Sequence, residues 1–262
     1  MNNNTAILMK DFEKTRLLGS DFDDTITPNS MEVYIELYLE ALQTISISLT
    51  PDQLREIVQP VWGQSAEEVI RYTVGFLSLQ PEMGGVLEPD AILAAVEHYE
   101  SALRSGVFVS RVTLIPGAIS ALEAVRERGV QIGLATGLAP ELLDELLIKH
   151  GVPDDLFIDK ISAYDIRKSQ RKKPDPYSLK RLKRVAGIAV QGSVLNNQIV
   201  YVGDSENDVK MARRLPGVEP VVVLTGNLTR QHAKSVLRVP GSNILKNICQ
   251  IEEVLERREF VH

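Results

Sequence analysis

The chain has 262 residues, 44% of them hydrophobic, a formal charge of −6 and a pI near 5.4. That is an ordinary globular composition, long enough for one large domain or two modest ones, and its negative charge gives no general attraction to nucleic acid or to an anionic membrane. A lone Cys249 excludes an internal disulfide, no apolar run approaches the roughly 20 residues that span a bilayer, and residues 1–12 lack a leader-like apolar core, so the expectation is a soluble cytoplasmic protein.

In chain order, Leu17 to Ser20 reads as a short buried strand that breaks into Asp21-Phe22-Asp23-Asp24-Thr25. Two carboxylates emerging together at a strand end repel unless a cation or a shared proton offsets them. From Ser30 to Val109 the apolar positions recur at helical spacing, as in Val33, Leu37, Leu39 and Leu42, or Ile92, Ala95, Val96 and Tyr99. Residues 29–110 are therefore expected to form a helical insertion between two segments of one core, 1–28 and 111–262. After Pro116-Gly117 helical and strand-like stretches alternate: Ala118 to Arg128, Val130 to Ala135, Pro140 to His150, Leu156 to Ser162, Tyr177 to Ala186, Ile199 to Val202, Asn207 to Leu215 and Glu219 to Leu224. Such alternation predicts a parallel sheet covered by helices. A closing helix is expected over Asn247 to Arg257, with Ile248, Ile251, Val254 and Leu255 as its apolar stripe.

Four short motifs sit at the strand ends or between them: Asp21-Phe22-Asp23-Asp24-Thr25, Thr136-Gly137, Lys173 in Lys173-Pro174-Asp175-Pro176, and Gly203-Asp204-Ser205-Glu206-Asn207-Asp208. In order and context they resemble the four motifs of the haloacid dehalogenase superfamily, and the insertion resembles the helical cap of its phosphoglycolate phosphatase and β-phosphoglucomutase branch. The resemblance implies an α/β fold with a Rossmann-like doubly wound parallel sheet as core and an inserted α-helical cap domain. Each motif taken singly has a plainer reading. Lys173 lies in a charge run that would ordinarily be a solvated loop, Ser205 and Thr25 could be caps, and Asp204 and Asp208 could favour a helix N-terminus.

The resemblance also implies the chemistry. Phosphate monoesters hydrolyse so slowly that enzymes accelerate the reaction by up to about 10²¹-fold, which calls for a nucleophile, charge neutralisation and leaving-group protonation together. Asp21 would be the nucleophile, Asp23 the acid and base, and Thr136, Gly137 and Lys173 the holders of the phosphoryl group. Asp21, the Asp23 carbonyl, Asp204 and Asp208 would hold Mg²⁺. Three ionised carboxylates and a phosphate dianion carry five negative charges against Lys173, and oxygen-only donors suit a hard divalent ion.

The second carboxylate, Asp23, points to a phosphate ester, since halide release in the dehalogenases needs no proton. Ser30 to Leu103 contains no lysine, which argues against phosphonatases, whose cap supplies one. The expected activity is Mg²⁺-dependent hydrolysis of a small phosphorylated metabolite, with a phosphomutase or a non-catalytic binding protein as alternatives. Substrate choice is expected in the cap, at Trp62, Gly63 and Arg55. Relative to the family pattern, Asp24 stands where glycine is frequent and Gly137 where asparagine is common. His98, His150, His232 and His262 show no metal-like spacing.

Overall fold

The computed structural model describes residues 15–61, 66–79, 89–166, 171–188, 198–226 and 228–259. The chain divides into two compact units, one made of Met1–Pro28 with Thr113–His262 and the other of Asn29–Val112.

In the larger unit six parallel strands form one sheet in the order β3-β2-β1-β4-β5-β6, with β1 Leu17–Ser20, β2 Gln131–Thr136, β3 Asp159–Ser162, β4 Ile199–Gly203, β5 Val218–Val223 and β6 Ile244–Leu245. This is the doubly wound order, in which the chain reverses direction of growth between β1 and β4. Every residue of β1 and β4 is buried, as continuous apolar runs in a sheet covered on both faces should be. Gly19 of β1 pairs with Gly133 of β2. Both glycines make room for large side chains on the sheet: a Cβ at Gly19 would lie 2.7 Å from the Tyr201 ring, and one at Gly133 2.4 Å from Leu182.

Among the described residues the smaller unit has α-helices α1 Ser30–Gln43, α2 Pro51–Val58, α3 Ala66–Ser78, α4 Pro89–Arg104 and α5 Val107–Arg111. The helix α2 begins with a Thr50/Gln53 capping box and Pro51 in its first turn, the arrangement that satisfies the free N–H groups of a helix start. Its companions pack through Tyr38 stacked on Tyr99, 4.2 Å between centroids, and Tyr34 against Phe108.

The larger unit adds α6 Ala118–Glu127, α7 Pro140–Lys149, α8 Tyr177–Val185, α9 Glu206–Arg213, α10 Arg230–Ser235 and α11 Ile251–Glu259. Three differences from the sequence expectation have local causes. The strand expected from Leu156 begins only at Asp159, because Leu156 and Phe157 are buried by a turn in which the Leu156 N–H donates to Pro153 O. The closing helix starts as a 3-10 turn at Ile248–Gln250, capped by Asn247, and becomes α-helical at Ile251. The strand β6 and the helix α10 have two and six residues, too short for a period to register. No helix among the described residues is long and apolar enough to cross a membrane.

Candidate active site

The C-terminal ends of β1, β2 and β4 bring the motifs together. The Asp21 N–H donates to Val202 O on the neighbouring strand, 2.9 Å, so the first aspartate leaves the sheet still tied to it. Beyond it the chain turns through Asp24, whose φ of 49° lies in the left-handed region. That conformation is why glycine is frequent at this position, and aspartate is among the few other residues that adopt it readily. The turn is pinned on both sides: the Asp24 N–H donates to Thr27 Oγ1, and the Thr225 hydroxyl donates to Asp24 O.

The helix α9 starts with a capping box in which Ser205 Oγ accepts from the Asp208 N–H and the Asp208 carboxylate accepts from the Ser205 N–H. The plainer reading of Ser205 as a cap is thus correct, and it has a consequence for chemistry. Capping holds one Asp208 oxygen toward the helix and leaves the other 2.9 Å from Lys173 Nζ. Gly203 lets this carboxylate lie against the strand, since a Cβ there would be 2.5 Å from the Asp208 Cβ.

Lys173 Nζ is also 2.6 Å from Asp21 Oδ1 and lies 5.7 Å from the centroid of the Tyr201 ring. Asp21, Asp204 and Asp208 each offer an oxygen within 4.8 Å of the others, and all three are buried. Thr136 at the end of β2 places its hydroxyl 3.3 Å from Asp23 Oδ2 and accepts from the Leu138 N–H. Gly137 follows it on the surface, where an added Cβ would meet nothing within 4 Å.

Burial dominates the electrostatics. It pushes the Asp21 carboxyl up to about 8, against the pull of Lys173 and with added repulsion from Asp208 and Asp23. Burial also raises Asp204 well above the usual carboxylate range, with Asp208 and Asp21 adding to it. Desolvation alone would lower Lys173, yet Asp208 and then Asp21 hold it well above its ordinary value, so it is a fixed cation. One lysine among three buried carboxylates leaves a deficit of positive charge. An all-oxygen donor set within a few ångströms fits a hard divalent ion such as Mg²⁺.

The expected cap residues fall differently. Trp62 and Gly63 lie outside the described residues. Arg55 stands on α2, where its guanidinium pairs with Glu32 and, at 2.9 Å, with Asp52. Two residues that touch the site carry no motif. Tyr201 donates toward Asp208 Oδ1 at 3.4 Å and Ala135 O at 3.3 Å beneath Lys173, and in the sequence it is simply one more member of an apolar run. Gly226 adjoins Asp204 and has no side chain to betray a role.

A family model for haloacid dehalogenase-like hydrolases matches residues 15–216. A phosphoglycolate phosphatase from Rhodospirillum rubrum is 30% identical over 128 residues, a match that spans 47% of this chain and 46% of that protein, so the chain covers about half the length of this curated relative. The fold is similar to that of a predicted phosphoglycolate phosphatase from Haemophilus somnus 129PT, with a TM-score of 0.71 at 20% identity over 92% of this chain and 97% of that one. It is also similar to a phosphonoacetaldehyde hydrolase-like protein from Oleispira antarctica, with a TM-score of 0.69 at 17% identity over 94% and 92% of the two chains.

Proposed function

We propose, from the premise that the chain belongs to the haloacid dehalogenase-like hydrolases, that it is a Mg²⁺-dependent phosphatase of small phosphorylated metabolites. The observation that carries the reading is Lys173 Nζ within 3 Å of both Asp21 and Asp208, in a buried cluster that Asp204 completes.

In this reading an Asp21 oxygen attacks phosphorus and the ester P–O bond breaks. Asp23 gives its proton to the leaving alkoxide. Water then attacks the phosphorus of the aspartyl phosphate, Asp23 takes the water proton, and the bond to Asp21 breaks to release inorganic phosphate. The Thr136 hydroxyl, 3.3 Å from Asp23 Oδ2, orients that carboxyl and offers a hydrogen bond to phosphoryl oxygens, as does the Gly137 amide. Lys173 holds negative charge as it moves between substrate and Asp21. Asp21, the Asp23 carbonyl, Asp204 and Asp208 would hold Mg²⁺, which supplies charge neutralisation to the phosphoryl group.

Substrate choice is assigned to the inserted unit, with Trp62, Gly63 and Arg55 as its candidates. The absence of lysine from 30–103 favours a phosphate ester over a phosphonate that needs an imine-forming amine. A panel of phosphorylated metabolites, assayed for phosphate release with and without chelator, tests the whole reading. Release that stops with chelator and returns with Mg²⁺ is expected. Full release in excess chelator overturns the metal assignment, and phosphate appearing on a second substrate hydroxyl instead of in solution makes the protein a phosphomutase.

A further inference from the structure

The loop after β5 carries no ionisable group, yet it touches two of the motifs. The Leu224 N–H donates to Leu245 O at 3.1 Å, which fixes the start of the loop to the sheet edge. The Thr225 hydroxyl donates to Asp24 O, which joins the loop to the turn behind Asp23. At Gly226 an added Cβ would lie 1.9 Å from Asp204 Oδ2, 2.6 Å from its Cγ and 2.7 Å from its Cβ. At Gly19, Gly133 and Gly203 the corresponding closest approaches are longer, 2.7, 2.4 and 2.4 Å. The backbone at Gly226 is outside the left-handed region, so its conformation does not call for glycine. The space does. Asp204 has no easy retreat from a methyl group there, because it is buried with Asp208 and Asp21 near it, both carboxylates that repel it.

We propose that Gly226 is a positioning residue, which by lacking a side chain fixes the Asp204 carboxylate within the Asp21–Asp204–Asp208 cluster and so sets its affinity for a divalent cation. The proposal rests on the functional reading above, in which that cluster holds Mg²⁺. Thr225 and Leu224 anchor the loop, so the strain of a larger residue at 226 falls on Asp204 rather than on the loop.

The test is Mg²⁺ binding to the metal-stripped full chain by isothermal titration calorimetry. Gly226→Ala should weaken the Mg²⁺ Kd at least tenfold while kcat for an aryl phosphate, measured at saturating Mg²⁺, falls by a smaller factor. Gly241→Ala, a glycine whose Cβ would meet nothing within 4 Å, should leave the Kd unchanged. A folded Gly226→Ala protein with the wild-type Kd overturns the proposal. Removing the obstructing atoms with Asp204→Gly gives a second measurement on metal-free protein: the fall in Tm caused by Gly226→Ala should shrink by at least half in that background. An equal fall in both backgrounds overturns the proposal, including the case in which Gly226→Ala alone does not fold. Wild-type protein that binds no Mg²⁺ would overturn the functional reading itself, whereas binding that Gly226→Ala leaves untouched sinks this inference alone.

Discussion

Lys173 and Arg55 are both cations held between two carboxylates, and they illustrate opposite physics. Lys173 is bracketed by Asp21 and Asp208 in the interior of the α/β unit, while Arg55 is bracketed by Glu32 and Asp52 on the surface of the helical unit. Solvent screens the surface group, where Asp52 is 96% exposed, so each of its contacts is worth on the order of 0–1 kcal/mol. Only 18% of the Lys173 side chain is exposed, Asp208 is 1% exposed, and burial first, with repulsion among the carboxylates added to it, pushes Asp21 and Asp204 upward. Similar ingredients thus make a tolerant surface ornament in one unit and a poised, charge-starved site in the other.

The sharpest way to break this contrast is chemical. Asp21→Asn should lower kcat by about 10⁴-fold or more while the fold persists, because an amide cannot form the acyl phosphate. Trapping followed by mass spectrometry should find phosphate on Asp21 of the wild type, and a near-normal rate in the amide variant would remove Asp21 as nucleophile. Next in size, Lys173→Ala strips the buried carboxylates of their cation and should cost about 3–5 kcal/mol in urea unfolding of metal-free protein. A loss within the surface range would mean that the cluster is wetter than its burial indicates.

The pH dependence sharpens the same point. Because the folded-state value of Asp21 is raised to about 8, the folded protein keeps a proton that the unfolded chain has released across the interval from the ordinary 3.8 up to about 8. Stability therefore falls as pH rises through that window. In chelator, Tm should be lower at pH 8 than at pH 6, and Asp21→Asn should reduce the slope. An unchanged slope would assign it to other groups. The smallest effect belongs to the surface pair: Arg55→Ala should change unfolding free energy by less than about 1 kcal/mol. If Arg55 also selects substrate, the same variant should alter kcat/KM for the best metabolite about tenfold and that for a small aryl phosphate much less.

The sheet was legible because its strands are buried on both faces and therefore appear as unbroken apolar runs, Leu17 to Ser20 and Ile199 to Val202 among them. The stretch before Asp159 misled for the same reason: Leu156 and Phe157 are apolar and buried, but a turn buries them. At the site, charged residues announce themselves in sequence, and Asp21, Asp204, Asp208 and Lys173 are found together. What surrounds them does not. Tyr201 differs from its strand neighbours only in a hydroxyl whose target is set by tertiary packing, and Gly226 acts through an absent atom. Arg55 looks like a ready anion binder in sequence because one of its two carboxylate partners, Glu32, comes from a different helix, α1, and only Asp52 is its neighbour along the chain.

The central place of β1 has a consequence for how the protein is made. It pairs with β2 on one side and β4 on the other, and neither exists when Leu17–Ser20 leaves the ribosome. The first partner follows roughly 110 residues later, a delay of about 6–22 s at the roughly 5–20 residues per second of translation. Meanwhile the contiguous unit Asn29–Val112 is synthesised whole and can fold. During synthesis the strand that leads into Asp21 is thus a bare apolar segment with both edges open until β2 follows.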